Sequence, residues 1–337
     1  MNNKTYYPYF DYVRFVAASV VMFGHSGVIT LPHMGSIAVE VFFAMSGWLI
    51  GGILLNLKKE DLLRFYFNRA VRIWIPYFFA LFLIVGVGFL KDDITVKWFE
   101  IVFYKLTFVY NIFGTTQLAE FSRQMPLEGT GNHFWSVNAE EQFYLIAPLL
   151  LVLLNRAGRH PVLWIALSLL SWWLLIYPSI FVGVLAAVLA NRYGDFYKDK
   201  YFKLCMILIL SGTVWAYFKG VDYRVISPGF AIAIILLLTI QGQPNKVSKF
   251  LGGMSYPLYL NHWIGVFAAN FLIRNSVFND LLAFTINYIV IAFLYILIDR
   301  QCLASRGQWF EMTRAKAIVI IAYGMVLVGV IGGILLS

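Results

Sequence analysis

The chain has 337 residues, of which 61% are hydrophobic and 13% charged, with a mean hydropathy of +0.75, whereas soluble domains carry roughly 25% charged residues. This composition excludes an ordinary soluble enzyme. The net charge of +9 does not mark a nucleic-acid binder, because Lys and Arg cluster between apolar segments, where the positive-inside rule places them. The two cysteines, Cys205 and Cys302, lie far apart beside apolar runs, which argues against a disulfide framework and a thiolate metal site. No His-Glu-x-x-His pattern occurs either, so no metal is expected.

Apolar runs near the ~20 residues needed to cross a bilayer recur from Phe10 onward. In chain order they predict spans at 10–30, 36–57, 73–90, 134–154, 162–177, 179–190, 204–218, 226–241, 256–274, 279–298 and 317–336. The expectation is an all-α, polytopic transmembrane bundle of about ten or eleven helices, forming one membrane domain over residues 1–337. The first run holds Arg14 and His25 and shows no small-residue cleavage site, so it reads as a retained anchor. One of the short runs, 162–177 or 179–190, is a candidate for re-entrance, which a bilayer tolerates only inside protein.

Trp98–Phe113 is also apolar, but counting it as a span would put later basic clusters outside, so it reads as non-spanning. With the N-terminus inside, most basic residues then fall on the inner side, from Lys4 and the Lys58–Arg72 cluster to Arg306 and Lys316. A smaller set, including Lys105 and Arg274, falls outside. The segment Gly114–His133, with Pro126, Gly129 and Gly131, becomes an outer loop long enough to suggest function.

Five segments carry polar residues that a membrane protein does not place idly. Arg14 and His25 sit eleven residues apart, on one helix face with about 16 Å of rise, so an anion could be held below a proton-transfer group. The plainer readings are an Arg14 that snorkels and pairs with Asp11, and a His25 in an ordinary helix contact. Arg69 and Arg72 are helix neighbours whose guanidinium forks suit phosphate or carboxylate, although positive-inside anchoring accounts for them equally well. Glu40, within Val39–Gly47, needs a partner or a wet cavity; Ser46 and Gly47 there suit close helix packing.

The run from His133 to Tyr144 contains His133, Trp135, Ser136, Glu140, Glu141 and Tyr144 at the mouth of an apolar helix. Helix capping by the acids is the plain reading, whereas His, carboxylates and aromatics together fit sugar recognition or general acid–base work. Tyr256 and Tyr259 share a helix face, and His262 follows in the same apolar run, with ordinary packing as the alternative.

Together these segments resemble the acyltransferase-3 family of bacterial membrane proteins, which includes polysaccharide and lipopolysaccharide O-acetyltransferases. The resemblance rests on Arg14 followed after ten residues by His25, the Phe-Phe-x-x-Ser-Gly stretch ending at Gly47, and Arg69-x-x-Arg72. The Trp135–Tyr144 run and Ser255-Tyr256-Pro257-Leu258-Tyr259-Leu260-x-His262 complete it. It implies a bacterial inner-membrane, multi-pass enzyme without a tightly bound cofactor. Cytosolic acyl-coenzyme A, usually acetyl-coenzyme A, would donate to a saccharide hydroxyl outside, and polysaccharide-synthesis proteins would be further partners.

Under the resemblance Arg14, Arg69 and Arg72 engage the donor's phosphates, and His25 and Glu140 serve transfer, with Glu140 orienting or charging the histidine. Glu40, His133, Trp135, Ser136, Glu141, Tyr144, Tyr256, Tyr259 and His262 are the expected substrate-binding residues. Val137, Asn138 and Ala139 depart from frequent family residues, which puts acceptor detail in question. Several relatives carry a fused SGNH-type domain, whereas this chain is read as ending after its last span. Two rivals are a proton-coupled transporter using Glu40, Glu140, His25 and His262 as a relay, and a non-catalytic partner in a polysaccharide-synthesis complex.

Overall fold

The computed structural model describes residues 6–272 and 277–336, so Lys4 and Arg274 lie outside the described residues. Every regular element among those residues is helical. The principal helices are α1 (Pro8–His25), α2 (Met34–Leu55), α3 (Leu62–Lys91), α4 (Val96–Leu106), α5 (Phe134–Pro148), α6 (Pro161–Trp173) and α7 (Pro178–Tyr193). They continue with α8 (Lys200–Phe218), α9 (Tyr223–Leu237), α10 (Lys246–Asn261), α11 (Trp263–Leu272), α12 (Val277–Leu294), α13 (Arg300–Trp309) and α14 (Met312–Leu336).

Among the described residues, five helical stretches are long and apolar enough to cross a membrane: Met34–Leu55, Lys59–Lys91, Lys200–Phe218, Phe278–Trp309 and Met312–Leu336. The expected ten or eleven is not reached on that criterion. Helices α6, α7, α9 and α11 are apolar but have 10 to 16 residues, and at 1.5 Å per residue each falls short of a ~30 Å hydrocarbon core. The Trp98–Phe113 stretch holds most of α4, of 11 residues, then a turn and the four-residue helix Tyr110–Phe113.

The first expected span, 10–30, needs correction at its end. The helix stops at His25 because Ser26 donates its N–H back to Met22 and Gly24, and Gly27 takes a left-handed φ of 77°, the usual way a glycine closes a helix.

The described chain divides into two compact units. The first comprises residues up to Lys58 together with Ala147–Tyr259, and its tightest contact joins α2 and α7. A Cβ on Gly47 would stand 2.1 Å from the Ile180 carbonyl oxygen, and one on Gly183 would stand 2.2 Å from that of Ala44. Each glycine thus admits the other helix's backbone, as small residues do where membrane helices pack without a hydrophobic drive. Phe43 meets Tyr177 edge-on at 5.4 Å, and Trp48 meets Tyr197 likewise. The turn separating α6 from α7 uses left-handed backbone at Leu175 and Tyr177 and restarts at Pro178, where proline's fixed φ suits a first helical turn.

The second unit comprises Lys59–Ile146 and the described residues from Leu260 onward. Near its start, Phe67, Val71 and Ala315 form a core against which Cys302 and Phe310 pack, joining α3, α13 and α14. Farther along, Tyr66 and Tyr323 hydroxyls lie 2.9 Å apart and both donate to the Leu145 carbonyl.

The expected span 256–274 is not one helix. It breaks at His262, and Asn287 of α12 closes the gap: its Nδ2 donates to the His262 carbonyl at 2.6 Å, and its Oδ1 accepts from Gly265 N–H at 2.8 Å. Asn287 is fully buried. An irregular backbone inside an apolar layer requires this kind of internal partner.

Candidate functional site

In the first unit, Arg14 forms an ion pair with Asp11 at 3.1 Å and is half-buried. Asp11 also accepts from the Tyr6 hydroxyl, and Tyr6 lies 3.2 Å from Ser248. Gly252 leaves room for the Asp11 side chain, since a Cβ there would meet it at 2.6 Å. The acid that holds Arg14 is therefore built into the contact of α1 with α10.

Continuous helix links Arg14 to His25, so the rise of about 16 Å between them holds, and His25 ends α1 as an exposed residue. Glu40 is buried beside Ser179, and its Oε2 has no hydrogen-bond partner among the described residues. Tyr259 is buried against Phe42, with ring centroids 6.0 Å apart, and Tyr256 is half-buried one turn earlier.

In the second unit, Arg69 and Arg72 are half-buried on α3. The Arg69 guanidinium lies over the rings of Phe65 (5.6 Å) and Tyr144 (5.8 Å). Such contacts hold a guanidinium by its face and leave its edge donors for an anion. Tyr144 in turn donates to Glu140 one helical turn away. Glu141 is buried, its Oε1 accepting from the Trp74 indole at 2.8 Å while its Oε2 has no hydrogen-bond partner among the described residues.

His133 and His262 are both buried, with ring centroids 4.5 Å apart. The His133 Nε2–H donates to the Leu260 carbonyl at 3.4 Å, which makes Nδ1 the acceptor of its neutral ring. Ser136 is turned back onto the His133 carbonyl at 3.2 Å, and Trp135 packs against the Tyr104–Tyr110 core. Unit two thus gathers Arg69, Arg72, Glu140 and Tyr144 in one neighbourhood and brings His133 beside His262. Arg14, His25, Glu40, Tyr256 and Tyr259 belong to unit one.

Three residues escaped the sequence reading. Trp74 and Asn287 act by orienting others, and an aromatic or an amide in an apolar helix gives little local signal. Lys105 did carry one, as a lone cation in an apolar stretch. It is fully buried, donates to the Thr130 carbonyl at 3.3 Å, and lies over the Tyr110 ring at 4.8 Å and the Phe134 ring at 5.7 Å. Burial pulls its ammonium down to about 7.

A chain of hydrogen bonds surrounds Lys105. The Tyr77 hydroxyl donates to the Lys105 carbonyl and accepts from Asn138 Nδ2, both at 2.9 Å. Asn138 Oδ1 accepts from the Tyr110 N–H, and the Tyr110 hydroxyl donates to Asn132. Asn138, noted in the sequence only as a departure, thus fixes the turn leading to His133.

Residues 7–300 match the family model described as an acyltransferase domain. The chain is similar to O-acetyltransferase OatA of Staphylococcus aureus strains NCTC 8325 and COL, with 25% identity over 324 residues in each case. Each alignment covers 82% of this chain and 53% of the relative, so the chain spans about half the length of the curated relatives it matches. No solved structure matches it.

Proposed function

Because the chain belongs to the acyltransferase-domain family, we propose that it is a multi-pass O-acyltransferase of the bacterial inner membrane. It moves an acetyl group from cytosolic acetyl-coenzyme A to a hydroxyl of an extracytoplasmic polysaccharide or its lipid-linked precursor. The relatives named O-acetyltransferase support the reaction class. The observation that carries the donor reading is that Arg69 and Arg72 have no ion-pair partner among the described residues, while Arg69 is held by two aromatic rings. Half-buried guanidinium groups so placed favour an anion with several oxygens, as the phosphates of coenzyme A provide.

In the reaction the acceptor hydroxyl oxygen attacks the thioester carbonyl carbon and the carbon–sulfur bond breaks. His25, as general base, takes the hydroxyl proton, which is returned to the departing thiolate so that free thiol leaves. Glu140 serves the transfer step in an orienting or charging role, and the substrate-binding expectations for Glu40, Glu141, His133, Trp135, Ser136, Tyr144, Tyr256, Tyr259 and His262 stand as part of the same proposal. Arg14 engages the donor in this scheme and must exchange some of its Asp11 contact to do so.

Purified protein in nanodiscs tests the reading. Ester formation from acetyl-coenzyme A and a saccharide acceptor is the expected result. Accumulation of substrate inside vesicles without covalent change would replace the enzyme with a transporter.

A further inference from the structure

The basic residues at the start of α3 and along α13 do not all behave as membrane-boundary anchors. Arg300 is exposed, as a snorkelling side chain should be, and Arg314 is neutralised by Glu311 at 3.0 Å. Arg306 differs from both, being half-buried with no ion-pair partner among the described residues.

The position of Arg306 follows from helix geometry. Asp299, Cys302 and Arg306 succeed one another at intervals of three and four residues, so they share one face. Cys302 packs on the core formed by Phe67 and Val71 of α3, which directs that face toward the helix carrying Arg69 and Arg72. Arg306 accordingly stands within electrostatic range of both arginines. Asp299 is buried near Arg72 but is not within ion-pair distance of it.

Three guanidinium groups thus converge, with Asp299, Glu140 and Glu141 in electrostatic range of one or another of them but none at ion-pair distance. Mutual repulsion and lost hydration both oppose such a gathering, and an anion that takes up the free donors offsets them. We propose that Arg306 is the third arginine of a phosphate-ester site formed with Arg69 and Arg72. Resting on the donor reading above, the ester is a phosphate of acyl-coenzyme A; a phospholipid headgroup presents the same chemistry.

The test uses the full-length protein in detergent and in nanodiscs. Coenzyme A affinity is measured by calorimetry for the wild type, Arg306→Ala, Arg306→Lys and the exposed control Arg300→Ala. Arg306→Ala should weaken coenzyme A roughly tenfold to a hundredfold, the range for one charge-assisted hydrogen bond. Arg306→Lys should recover part of the loss, and Arg300→Ala should bind as the wild type does. Pantetheine, which lacks the nucleotide phosphates, should bind Arg306→Ala and wild type alike; an equal loss for pantetheine would overturn the phosphate contact in favour of general damage.

If the wild type itself ignores coenzyme A, the donor reading fails, and the lipid arm decides the site. Stabilisation by phosphatidylglycerol over phosphatidylcholine that disappears in Arg306→Ala would then support a headgroup phosphate. Wild-type behaviour of Arg306→Ala toward both coenzyme A and phosphatidylglycerol would overturn the proposal.

Discussion

Replacing Lys105 by methionine keeps most of the side-chain volume and removes the buried ammonium, and its effect on stability should depend on pH with a definite sign. An unfolded lysine titrates at 10.5, whereas burial brings Lys105 to about 7. Between those values the unfolded chain binds one more proton than the folded protein, so wild-type stability rises with pH across that window. The deficit is full below about pH 7 and vanishes as pH passes 10.5. At ~1.4 kcal/mol per pH unit, and allowing for the partial titration near 7, the wild type should gain about 2 kcal/mol between pH 7 and 9 that Lys105→Met cannot.

Two contacts act against the benefit of the substitution. The bond to the Thr130 carbonyl is worth about 1 kcal/mol, and the rings of Tyr110 and Phe134 offset part of the desolvation, by up to ~2 kcal/mol for a desolvated cation–π contact. The variant should therefore be the more stable protein at pH 6 to 7 and should lose that advantage by pH 9 to 10. In thermal unfolding of detergent-solubilised protein, the Tm difference should shrink by roughly 3 °C between pH 7 and 9, as about 2 kcal/mol does in a chain of 337 residues. A Tm difference constant over this range would refute the argument that desolvation governs this lysine.

Further outcomes follow from other parts of the molecule. Gly47→Ala and Gly183→Ala should each cost about 1–3 kcal/mol or more through overpacking, whereas Gly52→Ala, with open space around its Cβ position, should leave Tm unchanged; equal Tm values for all three would remove the α2–α7 backbone contact. His25→Ala should retain donor binding while single-turnover transfer falls by about 10² to 10⁴, and near-normal transfer would eliminate the proposed base. In a cysteine-free background, Ser122→Cys should react with an impermeant thiol reagent in intact cells and Arg64→Cys should not; the reverse would invert the proposed topology.

Local chemistry made much of this architecture readable. The apolar runs announced helices, and the division between 162–177 and 179–190 was visible because Pro178 restarts the chain after a turn at Leu175 and Tyr177. Polar residues in apolar surroundings flagged Arg69, Glu140, Glu141, His133 and His262. Hydropathy could not show the break at His262, since the residues on either side are apolar whether or not the helix is continuous, and the amide that permits the break comes 25 residues later in sequence. Span lengths misled for a related reason, because averaging carries an apolar run through its turns. Lys105 was assigned to a side of the membrane from its place between the expected spans, although its surroundings matter more: Thr130, Tyr110 and Phe134 become its neighbours only through the fold. The pairing of Arg306 with the α3 arginines likewise depends on a contact between helices distant in sequence.

The break sealed by Asn287 also bears on how this part of the chain enters the bilayer. Helix α11, with 10 residues, is about 15 Å long, too short to partition as an independent span. Helix α12 in turn carries an amide whose polar groups weigh against solitary insertion. Joined by the bonds from Asn287 to His262 and Gly265, each supplies what the other lacks. The two helices are therefore a joint unit of biogenesis, and a substitution at Asn287 should act during synthesis, on membrane integration of the C-terminal segment, before it acts on any property of the finished protein.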